Sequence, residues 1–189
     1  MRLSTLAPVS PLTRGGRSSL LPWPPVSPHC NAHPLCPHAG TSLTYRSLIN
    51  QSLQFADGLL RYGGPETGDT VLVVSPNSLP FAIVVFACQA AGLVCSTANP
   101  SYTPPELAHQ IKVSGAKLVL ASLDMVANVE QGCELAGVGK DKIVVLPGMG
   151  GETKVPDGLR GWEELRGQDG FKPVRIEEPG KTLACESSF

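Results

Sequence analysis

Hydrophobic and polar positions along the chain fall into short blocks bounded by turn residues. The strongest block runs from Gly68 to Ala121. Between Asp69 and Glu106 it holds no Asp, Glu, Lys, Arg or His. A run that long without charge demands burial, in a membrane or in a protein core. A spanning helix needs about 20 consecutive apolar residues. Here Pro76-Asn77-Ser78, Gly92, Asn99-Pro100 and Pro104-Pro105 cut the run into shorter pieces. Val71 to Ser75 is strand-length, Leu79 to Ala91 helix-length, and Leu93 to Thr97 strand-length again. Ser78 is placed to cap the helix, Pro80 falls in its first turn, and Gly92 stands just past its end. The block therefore predicts strand–helix–strand, buried on all sides as in a helix-covered parallel sheet.

The flanking pattern extends this alternation. Ser42 to Tyr45 alternates and predicts a short strand. Tyr45 to Tyr62 carries Leu48, Ile49, Leu53, Phe55, Ala56, Leu59 and Leu60 at helical spacing, and Gly63-Gly64-Pro65 stops it. Thr103-Pro104-Pro105-Glu106 has the form of a capping box, opening a helix over Leu107–Ser114 that Gly115 ends. Lys117 to Ser122 predicts a strand, Leu123 to Gly137 a helix, and Lys142 to Leu146 a strand. Beyond Pro147 the signal weakens. Gly161 to Arg166 predicts one or two helical turns with Trp162 and Leu165 inward, Phe171 to Pro179 is extended, and Lys181 to Cys185 begins another strand. The fold class is α/β, a mostly parallel sheet with helices on both faces.

Composition changes the picture at the N-terminus. Residues 1–40 hold eight prolines, three arginines and no acid, which predicts a disordered proline-rich leader. A transit peptide and a misplaced start site are the other readings. The net charge of -1 provides no basic face for nucleic acid. Six cysteines (Cys30, Cys36, Cys88, Cys95, Cys133 and Cys185) are irregularly spaced, and three fall in apolar patterns. They read as small buried hydrophobes in a reducing, cytoplasmic compartment rather than as a disulfide framework.

Candidate chemistry is sparse. His29, Cys30, His33, Cys36 and His38 lie close together, but the cysteines are too widely spaced for a zinc knuckle and no second pair follows. Gly148 to Lys154 lacks the Walker pattern, and Gly137-Val138-Gly139-Lys140 lacks the third glycine of a dinucleotide loop. Both read as glycines at helix ends and in loops. His109 reads as a packed or half-exposed structural residue. Ser75, Ser78 and Ser96 have no nucleophile-elbow context. Glu163-Glu164 and Glu177-Glu178 read as solvated surface, and burial is expected to raise the thiol pKa of Cys88 and Cys95. No catalytic, cofactor-binding or metal-binding residue is assigned.

The informative wording lies in the charge-free block. Gly68-Asp69-Thr70-Val71 through Asn77-Ser78 resembles the G-D-x-V-x-[ILV]-x-x-x-N-[SC] segment of AMP-forming acyl-CoA synthetases, the adenylate-forming superfamily. Ala90-Ala91-Gly92, then Asn99-Pro100-Ser101-Tyr102-Thr103-Pro104-Pro105-Glu106-Leu107, resembles their A-x-x-[AG]-G…[NP]-x-x-[YL]-[TN]-x-x-E-[IL] segment. Ser114-Gly115-Ala116-Lys117 resembles the S-x-A-K segment that follows. Together these cover Thr41 to Leu146, and the nearest subgroup is the 4-coumarate–CoA ligase-like enzymes. The resemblance implies an acid–thiol ligase of phenylpropanoid or fatty-acid metabolism, cytoplasmic or peroxisomal. Its substrates are a carboxylic acid, ATP and coenzyme A, with Mg²⁺. Thr182 to Ser188 resembles the approach to the family's phosphate loop, where Phe189 stands in place of the first glycine. On this reading residues 41–189 are an incomplete N-terminal AMP-binding domain, truncated at the phosphate loop and inactive alone. The alternative roles are a non-catalytic interaction module, self-associating through an unpaired sheet edge, or a truncated gene product with no independent activity.

Overall fold

The computed structural model describes residues 42–176 and 182–187. The leader 1–40, with its His29–His38 cluster, and the Glu177-Glu178 pair lie outside them.

The first element departs from expectation. Residues 42–44 form no strand. Thr44 caps a helix instead, its hydroxyl oxygen accepting the Ser47 N–H at 3.1 Å. Helix α1 spans Tyr45–Gly58 and continues as a π-helical turn, Leu59–Gly63. The alternation of Leu43 with polar neighbours thus marks one buried anchor before a cap.

The charge-free block folds as its turns dictate. Strand β1 is Thr70–Val74, helix α2 Leu79–Ala90 and strand β2 Val94–Ala98. The Ser78 hydroxyl oxygen accepts the Phe81 N–H at 3.3 Å, and Gly92 adopts the left-handed φ of 68° that a helix C-terminus favours. Helix α3 (Pro104–Ser114) ends at Gly115, β3 is Leu118–Ser122, α4 is Val126–Ala136 and β4 is Ile143–Leu146. At the start of α3, Glu106 Oε2 accepts from the Thr103 N–H at 2.8 Å and from its hydroxyl at 2.7 Å.

Beyond Pro147 the structure adds a strand the pattern does not predict. Arg160–Gly161 (β5) pairs with β4, and Trp162–Leu165 forms one 3₁₀ turn. Strand β6, Cys185–Ser187, starts where the expected strand was to end. Among the described residues the six strands follow the order β5-β4-β3-β1-β2-β6, with every pairing parallel.

The two faces of the sheet are read off the register. Val71 and Val73, with Leu118, Leu120, Val144 and Leu146, pack under α1 and α2. Leu72 and Val74, with Val119, Ala121, Ile143 and Val145, pack under α3 and α4. Register partners such as Val71 and Leu118 share a face, and neighbours along a strand alternate. In the charge-free block no helix is long and apolar enough to cross a membrane, nor is any among the described residues.

After β5 the chain returns over α1. The Gly167 N–H donates to Gln54 O at 3.0 Å. Buried Asp57 accepts the Gln168 N–H at 2.8 Å and Arg61 Nε at 2.7 Å. Burial pushes the Asp57 carboxyl up, but the Gln168 N–H and the Arg61 guanidinium outweigh it and hold it below the usual range. A Cβ on Gly58 would overlap the Leu165 carbonyl, so only glycine admits this approach.

Two outcomes follow. Gly58→Ala forces the 3₁₀ turn off α1 and lowers stability by about 3 kcal/mol or more, read from the urea midpoint. Asp57→Asn removes a carboxylate whose folded pKa lies below its unfolded value of about 3.9. The stability that charge contributes is full above that value and is lost as pH falls through the folded pKa. Wild type therefore exceeds Asp57→Asn by about 1 kcal/mol at neutral pH, and the gap closes in acid. A gap independent of pH would refute the assignment.

Candidate functional site

In an open parallel sheet, ligands gather at the carboxyl ends of the strands, near the point where strand order reverses. Here that point lies beside β1: the chain moves out to β2, then back across to β3. The rim is built by the turns after β1, β2, β3 and β4.

The polar groups of this rim bond mainly to one another. The Ser75 hydroxyl donates to Pro76 O at 2.9 Å. Asn99 Oδ1 accepts the Ser101 N–H at 2.9 Å. The buried Ser122 hydroxyl lies 3.2 Å from Asp124 Oδ2 and 3.4 Å from Pro147 O. Ser78 is spent on its helix cap. Ser96 lies on β2 instead of the rim, fully buried and with no hydrogen-bond partner for its hydroxyl. Of Ser75, Ser78 and Ser96, none hydrogen-bonds a His, Asp or Glu side chain among the described residues.

The glycine loop after β4 is turned inward. Gly148 N–H donates to Glu152 O at 2.9 Å and Gly151 N–H to Gly148 O at 2.9 Å. Met149 N–H donates to Asp124 Oδ2 at 2.9 Å. A phosphate cradle needs such amides free and aimed at an anion. Here three are committed, one of them to a carboxylate. Gly137 closes α4 with a φ of 78°, a helix-end role as expected.

A cleft of about 200 Å³ opens beside the ends of β4 and β5, lined in part by Pro147, Thr153, Glu163 and Glu164. Its lining includes two carboxylates and no basic side chain, and Glu164 Oε1 accepts the Gly161 N–H at 3.0 Å. Its charge is wrong for a phosphate. An apolar cleft of about 210 Å³ lies between α1 and α2, against Tyr45, Leu53 and Phe86. Among the described residues no group of three His, Cys, Asp or Glu side chains is placed to hold a metal ion. His109 is exposed on α3, which the surface-facing member of an amphipathic helix explains.

The cysteines hold the one cluster that the sequence does not disclose. Cys88 on α2 and Cys95 on β2 are fully buried, and Cys185 on β6 is exposed. Cys95 and Cys185 are register partners on β2 and β6, and the Cys88 and Cys185 thiols are the groups whose proximity shifts the Cys95 thiol. The neighbouring Cys95 thiol, together with burial, pushes the Cys88 thiol up. Cys95 departs from expectation: the Cys88 thiol first, and also that of Cys185, lowers it despite burial. Cys133 follows the plain rule, with burial raising it to about 11.

The comparisons fit this architecture. Residues 26–179 match the family described as AMP-binding enzyme. Over 113 residues the chain is 39% identical to a 4-coumarate–CoA ligase of Oryza sativa, covering 60% of this chain and 20% of the relative. Over 119 residues it is 32% identical to a long-chain-fatty-acid–CoA ligase of Salmonella typhimurium, covering 63% and 21%. The chain thus spans about a fifth of the length of these relatives. A benzoate CoA ligase from Burkholderia xenovorans superposes with a TM-score of 0.61 at 25% identity, over 72% of this chain and 26% of that one. A long-chain-fatty-acid-CoA ligase from Archaeoglobus fulgidus superposes with a TM-score of 0.66 over 77% and 27%, at 22% identity, a likeness of fold. The family match spans both helical layers and the first five strands, and by it the chain belongs to the AMP-binding enzyme family.

Proposed function

We propose that this chain is the N-terminal scaffold of an AMP-forming acid–thiol ligase. The whole enzyme joins a carboxylic acid to ATP as an acyl-adenylate, releasing pyrophosphate, then passes the acyl group to the coenzyme A thiol, releasing AMP. The observation that carries this reading is the family match over residues 26–179. The names of its relatives, a 4-coumarate and a long-chain-fatty-acid ligase, support an acid with a large apolar body as substrate class. The irregular spacing of the cysteines, with no disulfide framework, supports a reducing, cytoplasmic setting, with the peroxisome as the other compartment for the whole enzyme.

In this reading the 189 residues position the chemistry and perform none of it. Stabilising the charge of a reacting phosphate takes N–H donors and cations aimed at it. The rim here presents Asp124, whose Oδ2 accepts from Ser122 and Met149, committed loop amides and the carboxylates of Glu163 and Glu164. With ATP, Mg²⁺ and a panel of aryl and fatty acids, the purified chain is expected to release no pyrophosphate above background. Acid-dependent release by the pure chain would refute the assignment.

A second reading, a non-catalytic module that pairs with another chain, is favoured by β6. This short edge strand is paired on one side by β2, and its other side ends the sheet among the described residues. Open strand edges template further pairing. It predicts a dimer fraction that grows with concentration in light scattering. A folded chain that stays monomeric throughout would remove it.

A further inference from the structure

Three thiols from three elements meet at the β6 edge, and the ligase chemistry proposed above uses none of them. We propose that Cys95 and Cys185 are a modification site: a reversible disulfide between neighbouring strands, formed by exchange with a low-molecular-weight disulfide. This inference does not rest on the ligase reading.

Geometry carries it. Cys95 and Cys185 are direct register partners on the parallel strands β2 and β6. The Cys95 N–H donates to Ala184 O at 3.1 Å, which fixes that register beside the pair. Register partners point to the same face, and neighbouring strands lie about 4.7–4.9 Å apart. That falls within the Cα separation of about 4.4–6.8 Å that a disulfide spans. Cys88 has no such alignment. It reaches Cys95 from α2, across the helix–sheet interface, and is sealed from solvent.

Exposure and ionisation divide the roles. Cys185 is the solvent-facing member, so it meets the oxidant. It loses its proton to solvent, and its sulfur attacks one sulfur of glutathione disulfide, forming a mixed disulfide and expelling a glutathione thiolate, which takes up a proton. Cys95 then attacks the Cys185 sulfur and expels the second glutathione. Two protein thiols and one glutathione disulfide give one protein disulfide and two molecules of glutathione, so atoms and electrons balance. Of the three thiols, Cys95 is the one whose thiolate is favoured, because its two neighbouring thiols favour it. That suits it to the resolving step. The link closes β6 onto β2 when the glutathione pool is oxidised and opens when it is reduced, the transient kind of disulfide a reducing compartment permits.

The test treats the full chain with glutathione disulfide, alkylates the remaining thiols, and maps the peptides by mass spectrometry. The expected product is an intramolecular Cys95–Cys185 peptide that dithiothreitol reverses. Cys185→Ala abolishes it, and Cys88→Ala leaves it in place. Wild type needs no substitution to decide the matter. Arrest at the glutathione adduct of Cys185, or a link from Cys185 to any other cysteine or to a second chain, would overturn the proposal. So would a Cys88–Cys95 link formed in place of it.

Discussion

The structure depends on one constraint: β1 is buried on both faces and paired on both edges. Val71, Leu72 and Val73 are fully buried, and β2 and β3 flank the strand in parallel register. A strand without a solvent face needs a helical layer on each side. Parallel neighbours also need a crossover between them. The chain meets both needs with the same residues. It leaves β1 through α2 to reach β2, covering one face. It then returns through α3 to β3 on the other side of β1, covering the second face, and α4 continues in that direction. The reversal at β1 thus sets which helices share a layer. A slip of β3 by one residue would carry Leu118 and Leu120 to the α3–α4 face and Val119 to the other, and every pair in the register would break at once.

How far this was legible depends on distance along the chain. Wherever an element is specified by its own ends, the sequence is enough. Ser78, Pro80 and Gly92 bound α2, and the Thr103–Glu106 box and Gly115 bound α3. The faces of the sheet follow from alternation within each strand. Where a partner lies far away, local pattern is silent. Strand β5 has two residues and no period to detect, and exists because β4 offers an edge. Asp57 looks like a polar residue near a helix end, yet it is buried because Gln168, more than a hundred positions later, brings it an N–H. The predicted strand at Ser42–Tyr45 fails for a related reason. Alternation over four residues is too short to outweigh a Thr with a free turn of helix to cap.

The candidate site was legible in a different sense. Sequence alone assigns no catalytic group in these residues, and the structure shows what the rim's polar groups are bonded to. Ser75 bonds its own turn and Ser78 caps a helix, while Ser96 is buried within β2. The glycine loop folds onto itself, and its one bond outward goes to Asp124, an anion where a phosphate site needs a donor. What sequence missed is the meeting of Cys88, Cys95 and Cys185. A cysteine in an apolar run reads as a small hydrophobe, and that holds for Cys133, which α4 buries in the core. It does not hold for Cys95, because ionisation depends on what lies beside the sulfur. Those neighbours arrive from α2 and from a strand ninety residues downstream.

The two edges of the sheet are held by different physics, and this determines which one yields first. At the β5 edge, side chains from distant parts of the chain converge. Arg160 donates to Tyr62 O and Asp141 O, both at 2.9 Å. Trp162 packs on Phe55 with ring centroids 5.9 Å apart, and Leu165 is fully buried. Opening that edge exposes core and strands polar groups together, so it opens only with the fold as a whole. At the β6 edge a three-residue backbone ladder joins the strand to β2, and Leu183 just before it stands exposed. An edge with little buried apolar area opens locally, at a free energy well below that of global unfolding. Strand β6 and the residues leading into it fall in the stretch, Thr182 to Ser188, that resembles the approach to a phosphate loop. In this chain the part of the sheet nearest the proposed chemistry is also the part least tied to the core.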